Sequence, residues 1–196
     1  LACLGTAPLV CPAQTVSLKP SELGLRVEID GKLFSEYRTT DAQRPYMYPI
    51  TGPSGENLAR PYPMEKGGAE DHPHHRSIWF THGGVNGVDF WGNGEKNGTI
   101  KHTGFEQIKA EGAVGSFVAK SNWVLASGES VMTDERLIRI EALPGGGLRV
   151  QLSEAVGARV VARERRHHVR GVQRAAGQQP SRRLHQSGCR SDGRRL

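Results

Sequence analysis

The chain has 196 residues, 36% hydrophobic and 23% charged, which suffices for one domain with a sizeable core and excludes multidomain machinery. Its formal net charge is +6, from 26 Lys and Arg against 20 Asp and Glu. No apolar run approaches the ~18–20 residues that a helical membrane span requires, so no membrane span is expected.

The opening Leu1 to Gln14 is apolar, carries small residues at Cys11 and Ala13, and reads as the remnant of a secretory signal over 1–13. This reading implies a secreted or periplasmic protein. Pro8 and Pro12 weigh against the alternative, a buried first strand. Cys3 and Cys11 would leave with the signal and Cys189 lies far downstream, so the domain between them is held by packing rather than disulfides.

Residues 14–157 show short alternating runs separated by Gly, Asn, Asp and Pro. Strands are predicted at Leu25–Ile29, Lys32–Tyr37, Ser77–His82, Gly98–His102, Gly115–Leu125, Val131–Ala142 and Leu148–Leu152. Asp30-Gly31, Asn97-Gly98 and Gly145-Gly-Gly147 sit where hairpin turns belong. Strands about 8–12 residues apart without a sustained 3.6-residue period predict a mainly β fold, an antiparallel β-sandwich.

From Ala158 the composition changes. Residues 158–196 hold eleven Arg, no Lys, no aromatic residue and two acids, whereas 1–157 hold 15 basic and 18 acidic residues. The excess positive charge therefore lies in a stretch without material for a core, and no nucleic-acid partner is expected for the domain. Arg, Gly, Ala, Pro and Ser are what GC-rich DNA yields in the wrong frame. Back-translating 163–171 and reading one base later permits Glu-Asn-Glu-Gly-Thr-Met-Ser-Ala, so a frameshift between Gly147 and Val161 is one reading and a disordered basic arm the other.

The chemistry concentrates between Arg44 and Trp91. Four of the five His outside the basic stretch, His72, His74, His75 and His82, fall within eleven positions. In an extended segment His72 and His74 share one face and His75 takes the other. Neutral imidazoles with a carboxylate from Asp71 or Asp89 could hold a divalent metal, with His72, His74 and His82 as the first candidate ligands. The same groups suit metal-free acid–base work, with His74, His75, His82 and Asp89 as candidate catalytic residues. A loop whose His and Asp merely fix turns is the third reading. Arg44, Arg60 and Arg76 could hold a carboxylate or polyhydroxylated substrate. Tyr46, Tyr48, Trp79 and Trp91 offer flat faces for sugar rings, although core packing is the better account of Trp79 and an equal one for Trp91.

The motifs Arg44-Pro-Tyr-Met-Tyr-Pro, Gly52-Pro-Ser-Gly, Arg60-Pro-Tyr-Pro-Met, Asp71-His-Pro-His-His-Arg, Ile78-Trp-Phe-Thr-His-Gly and Val85-Asn-Gly-Val-Asp-Phe-Trp resemble a bacterial family of secreted proteins, of unassigned function, that is labelled methane oxygenase PmoA or PmoA-like. The resemblance spans 17–157 and implies a sandwich related to the mutarotase-type supersandwich, incomplete here at its C-terminal end because the family continues into a second half, in bacteria that degrade glycans. It points to His72, His74, His75, Arg76, His82, Asn86, Asp89 and Trp91. The expected activity is on a carbohydrate or related polyhydroxylated compound, the partner being a small molecule or glycan. A non-catalytic glycan-binding module is the alternative; an oxygenase, as the family label says, would need Fe or Cu and is disfavoured.

Overall fold

A computed structural model of the protein describes residues 14–61 and 72–157. The expected signal remnant, the basic stretch 158–196, Asp71 and the end of the Arg60–Met64 motif lie outside the described residues. Those described all belong to one compact unit. Among them, no helix is long and apolar enough to cross a membrane.

Among the described residues, nine strands form two antiparallel sheets, each in chain order. The first contains β1 (Val16–Pro20), β2 (Gly24–Ile29), β3 (Lys32–Arg38), β4 (Tyr46–Met47) and β5 (Ile78–Trp79). The second contains β6 (Thr99–Glu111), β7 (Val114–Val124), β8 (Ser130–Ala142) and β9 (Leu148–Gly157). The expected β-sandwich is therefore the fold. Asp30-Gly31 closes the β2–β3 hairpin with φ of 50° and 75°, the left-handed pair that a tight two-residue turn demands. Gly145 and Gly146 do the same work between β8 and β9, with φ of 81° and 84°.

Three local expectations change. Asn97-Gly98 is not a hairpin turn but the lead into β6: Gly98 N–H donates to the Asp89 carbonyl at 2.8 Å, and its missing side chain leaves room for the Phe90 ring. β6 runs to Glu111 rather than stopping near His102, because register shifts at His102/Gly104 and Glu106/Lys109 interrupt the alternation that would have marked it. The Ser77–His82 strand shrinks to two residues. Beyond it Thr81 Oγ1 donates to the Phe90 carbonyl at 2.7 Å, drawing the chain off the sheet.

The sheets meet over a core formed by Val16, Leu25, Val27, Ile29, Phe34, Tyr37 and Met47 from one side and Phe117, Ala119, Ile138, Ile140 and Ala142 from the other. Alternation explains the selection: on β8, Ile138, Ile140 and Ala142 face inward while Leu137 and Arg139 face out. Each large side chain so buried stabilises the fold by roughly 1.5–3 kcal/mol. A second, smaller cluster of Phe90, Ile100, Trp123 and Val131 lies under Phe80, Val85 and Val88. The inward row of β8 also carries Asp134 and Arg136, both buried. Asp134 Oδ2 accepts from Trp123 Nε1 at 2.7 Å and from Arg136 Nε at 3.1 Å, and Arg136 lies 3.7 Å from Glu154 on β9.

Candidate functional site

The histidine segment is a turn rather than an extended run. His75 N–H donates to the His72 carbonyl at 3.0 Å, with Pro73 between them holding a fixed φ. The turn changes which imidazoles meet. The rings of His72 and His75, expected on opposite faces, stack with centroids 4.5 Å apart at 24°, and His74 stands edge-on to both, at 5.6 and 4.5 Å. The nitrogens these three side chains offer all lie within 4.8 Å of one another.

Two buried arginines fix this turn and the neighbouring loop. Arg76 Nη1 donates to the His74 carbonyl at 2.6 Å, and its guanidinium lies 5.9 Å from the ring centroids of Tyr46 and Trp79. Arg44 Nη1 donates to the Trp91 carbonyl at 2.5 Å and Nη2 to the Gly92 carbonyl, while the guanidinium lies over Trp79 at 5.3 Å. The register explains their convergence: Tyr46 on β4 pairs with Trp79 on β5, which puts both rings within reach of Arg76, while Arg44 lies over Trp79. Asn93 ties the pieces together. Its Oδ1 accepts from Arg44 at 3.4 Å and from Arg76 at 3.5 Å, and its Nδ2 donates to the Pro73 carbonyl at 3.3 Å. The sequence reading passed over Asn93, whose only signal was its place between Gly92 and Gly94.

Trp91 is carried by this scaffold and is 41% exposed. Its ring lies 4.7 Å from Trp79, 5.7 Å from His75 and 6.3 Å from His74. Asp89 shapes the loop: Oδ1 accepts from Trp91 N–H at 2.7 Å, and Oδ2 from Gly92 N–H at 3.2 Å and Asn97 Nδ2 at 2.7 Å. These bonds, the one from Trp91 foremost, hold its carboxyl below the ordinary carboxylate pKa. Asn86 and Gly87 form the tip of a two-residue turn, with φ of 51° and 80°, between Val85 and Val88.

The remaining candidates are placed elsewhere. His82 is exposed, and its Nδ1 accepts from Gly84 N–H at 3.1 Å. It is not among the three converging histidines. Tyr48 sits with Arg38, whose guanidinium lies 5.2 Å from its ring, and its hydroxyl accepts from Asn57 Nδ2 at 3.5 Å. Arg60 is half-buried.

The site thus combines three imidazoles, an exposed indole and two guanidiniums beneath them. Partial burial holds the His74 pKa below the ordinary imidazole value, and the positive character of His75, His72, Arg44 and Arg76 pushes it the same way. A neutral imidazole at neutral pH can take up a proton or ligate a metal. The arrangement can therefore stack a ring on Trp91 and present nitrogen donors to the groups that ring carries.

Residues 24–165 match a family of unknown function, DUF6807. No curated protein and no solved structure matches the chain.

Proposed function

The chain belongs to the DUF6807 family, and we propose that it is a secreted or periplasmic PmoA-like protein acting on a carbohydrate or related polyhydroxylated compound. One observation carries the reading: the exposed Trp91 indole lies beside the clustered His72, His74 and His75 rings. An indole face suits the apolar face of a pyranose, and the adjacent imidazoles meet its hydroxyls as proton acceptors, proton donors or metal ligands. Asp89, by holding the Trp91 and Gly92 amides, and Arg44 and Arg76, by holding the turn and the loop, keep platform and imidazoles in register. The apolar, Pro-containing opening of the sequence supports export, and the composition of 158–196 supports a shifted reading frame there, which resequencing the coding DNA from codon 140 onward tests.

The experiment is a glycan-binding screen read by tryptophan fluorescence, followed by a turnover assay on each ligand found. Trp91→Ala should lower affinity at least about tenfold, the loss of one stacking contact in a wet site, without changing the thermal unfolding midpoint. His74→Ala should abolish turnover at unchanged fold. Ligand binding that survives Trp91→Ala would refute the reading; binding without turnover in the wild type would leave a glycan-binding module.

A further inference from the structure

We infer that His72, His74 and His75 form a three-imidazole site for one divalent first-row transition ion of the zinc class, with at least one coordination position open toward solvent and Trp91. The inference rests on the proposed function only for what would occupy the open position.

Geometry carries it. Zinc–imidazole bonds of about 2.0–2.1 Å at tetrahedral angles place ligand nitrogens roughly 3.3–3.4 Å apart. The three side chains already offer nitrogens within 4.8 Å of one another, so modest ring rotations close the set. The backbone that carries them is fixed. The His72 carbonyl is bonded to His75 N–H, the Pro73 carbonyl to Asn93 and the His74 carbonyl to Arg76, so each of the first three positions of the turn is held by its own hydrogen bond. Such a clamp lowers the ordering cost that a flexible histidine loop would meet on binding an ion. His72 is exposed and the other two half-buried, which leaves one side of the set facing water.

Ligand type selects the ion. Imidazole nitrogens favour zinc, copper and nickel over calcium or magnesium, which require oxygen ligands. Three protein ligands with a free position make an open site of the catalytic type rather than a closed structural one. Arg44 and Arg76 oppose the charge of a dication, so an oxygen ligand that brings negative charge, such as an ionised hydroxyl or a carboxylate, would be favoured at the free position.

The test is isothermal titration of the purified full chain with zinc chloride at pH 7.5. One equivalent should bind saturably to the wild type. Changes in the shell outside a metal's ligands already cost ~10–100-fold in affinity, so His72→Ala, His74→Ala and His75→Ala should each lose about a hundredfold or more. His82→Ala should retain wild-type affinity, as should the double variant His167→Ala/His168→Ala, which removes the adjacent histidine pair of the basic stretch 158–196. Circular dichroism of every variant separates lost ligation from lost folding; if an alanine variant does not fold, the corresponding His→Asn variant replaces it. Absence of saturable binding, or binding that persists when all three histidines are replaced, overturns the inference. Glycan binding in EDTA, abolished by Trp91→Ala, would show that the proposed function stands even where the metal site fails. Retained zinc affinity in Trp91→Ala without any glycan ligand would show the converse.

Discussion

Gly98 illustrates how one residue can couple the site loop to the core. A Cβ at this position would stand 2.2 Å from the Phe90 ring, which is fully buried and packs 5.0 Å from Trp123. Neither ring has space to retreat. Gly98→Ala is therefore expected to destabilise the protein by about 1–3 kcal/mol, checked by urea denaturation, and to disturb the Asp89 loop by displacing the backbone N–H that donates to the Asp89 carbonyl. Asp89 itself shows the limit of reading residue types. The sequence offered it as a catalytic or metal-binding carboxylate, and the structure shows both of its oxygens accepting hydrogen bonds within residues 91–97.

At the scale of elements, β2, β7 and β8 were legible because their alternation is nearly unbroken, and β6 was half-legible because bulges break it. The histidine turn was misread as extended, since Pro73 is compatible with either backbone and only the His75-to-His72 hydrogen bond distinguishes them. β9 has a consequence of its own. It ends the order of the second sheet among the described residues, and its Leu152 and Val156 remain 36% and 50% exposed although they share the inward face of Val150. A long strand edge beside exposed apolar side chains favours pairing with other chains. Val156→Lys should reduce self-association, measured by light scattering as a function of concentration, while leaving the circular dichroism spectrum unchanged. Equal association in the variant would show that another surface is responsible.

Across the whole molecule, the charged pair between the sheets links strands from both. Tyr37 on β3, His102 on β6, Asp134 and Arg136 on β8 and Glu154 on β9 interact electrostatically. Burial raises the Glu154 pKa to about 7; attraction to Arg136 offsets part of that shift, and repulsion from Asp134 adds to it. In the unfolded chain the same group titrates near 4.5, so between those values the folded protein holds a proton that the unfolded chain has lost. Stability should therefore fall as pH rises from about 4.5 to about 7 and level off above that range. Thermal unfolding of the wild type and Glu154→Gln across pH 4.5–8 isolates this component: the variant should lack that part of the slope. Identical slopes in the two proteins would place the proton elsewhere.

The sequence by itself determined what is local. Alternation of apolar and polar residues specified two-sided strands, Asp30-Gly31 and Gly145–Gly147 specified turns through their tolerance of positive φ, and the crowding of histidines ahead of Trp91 marked the segment whose imidazoles cluster. Tertiary structure decided what depends on approach between distant segments. It joined His75 rather than His82 to His72 and His74, and it buried Arg44 and Arg76 against the carbonyls of residues 91, 92 and 74. It also turned Asp134 and Arg136 into an interior pair, although their charge alone would have assigned them to the surface. The physical reason is the same in each case. Side-chain periodicity follows from the backbone of one strand, whereas the partner of a buried charge or an imidazole is set by segments that meet only after the sheets have packed.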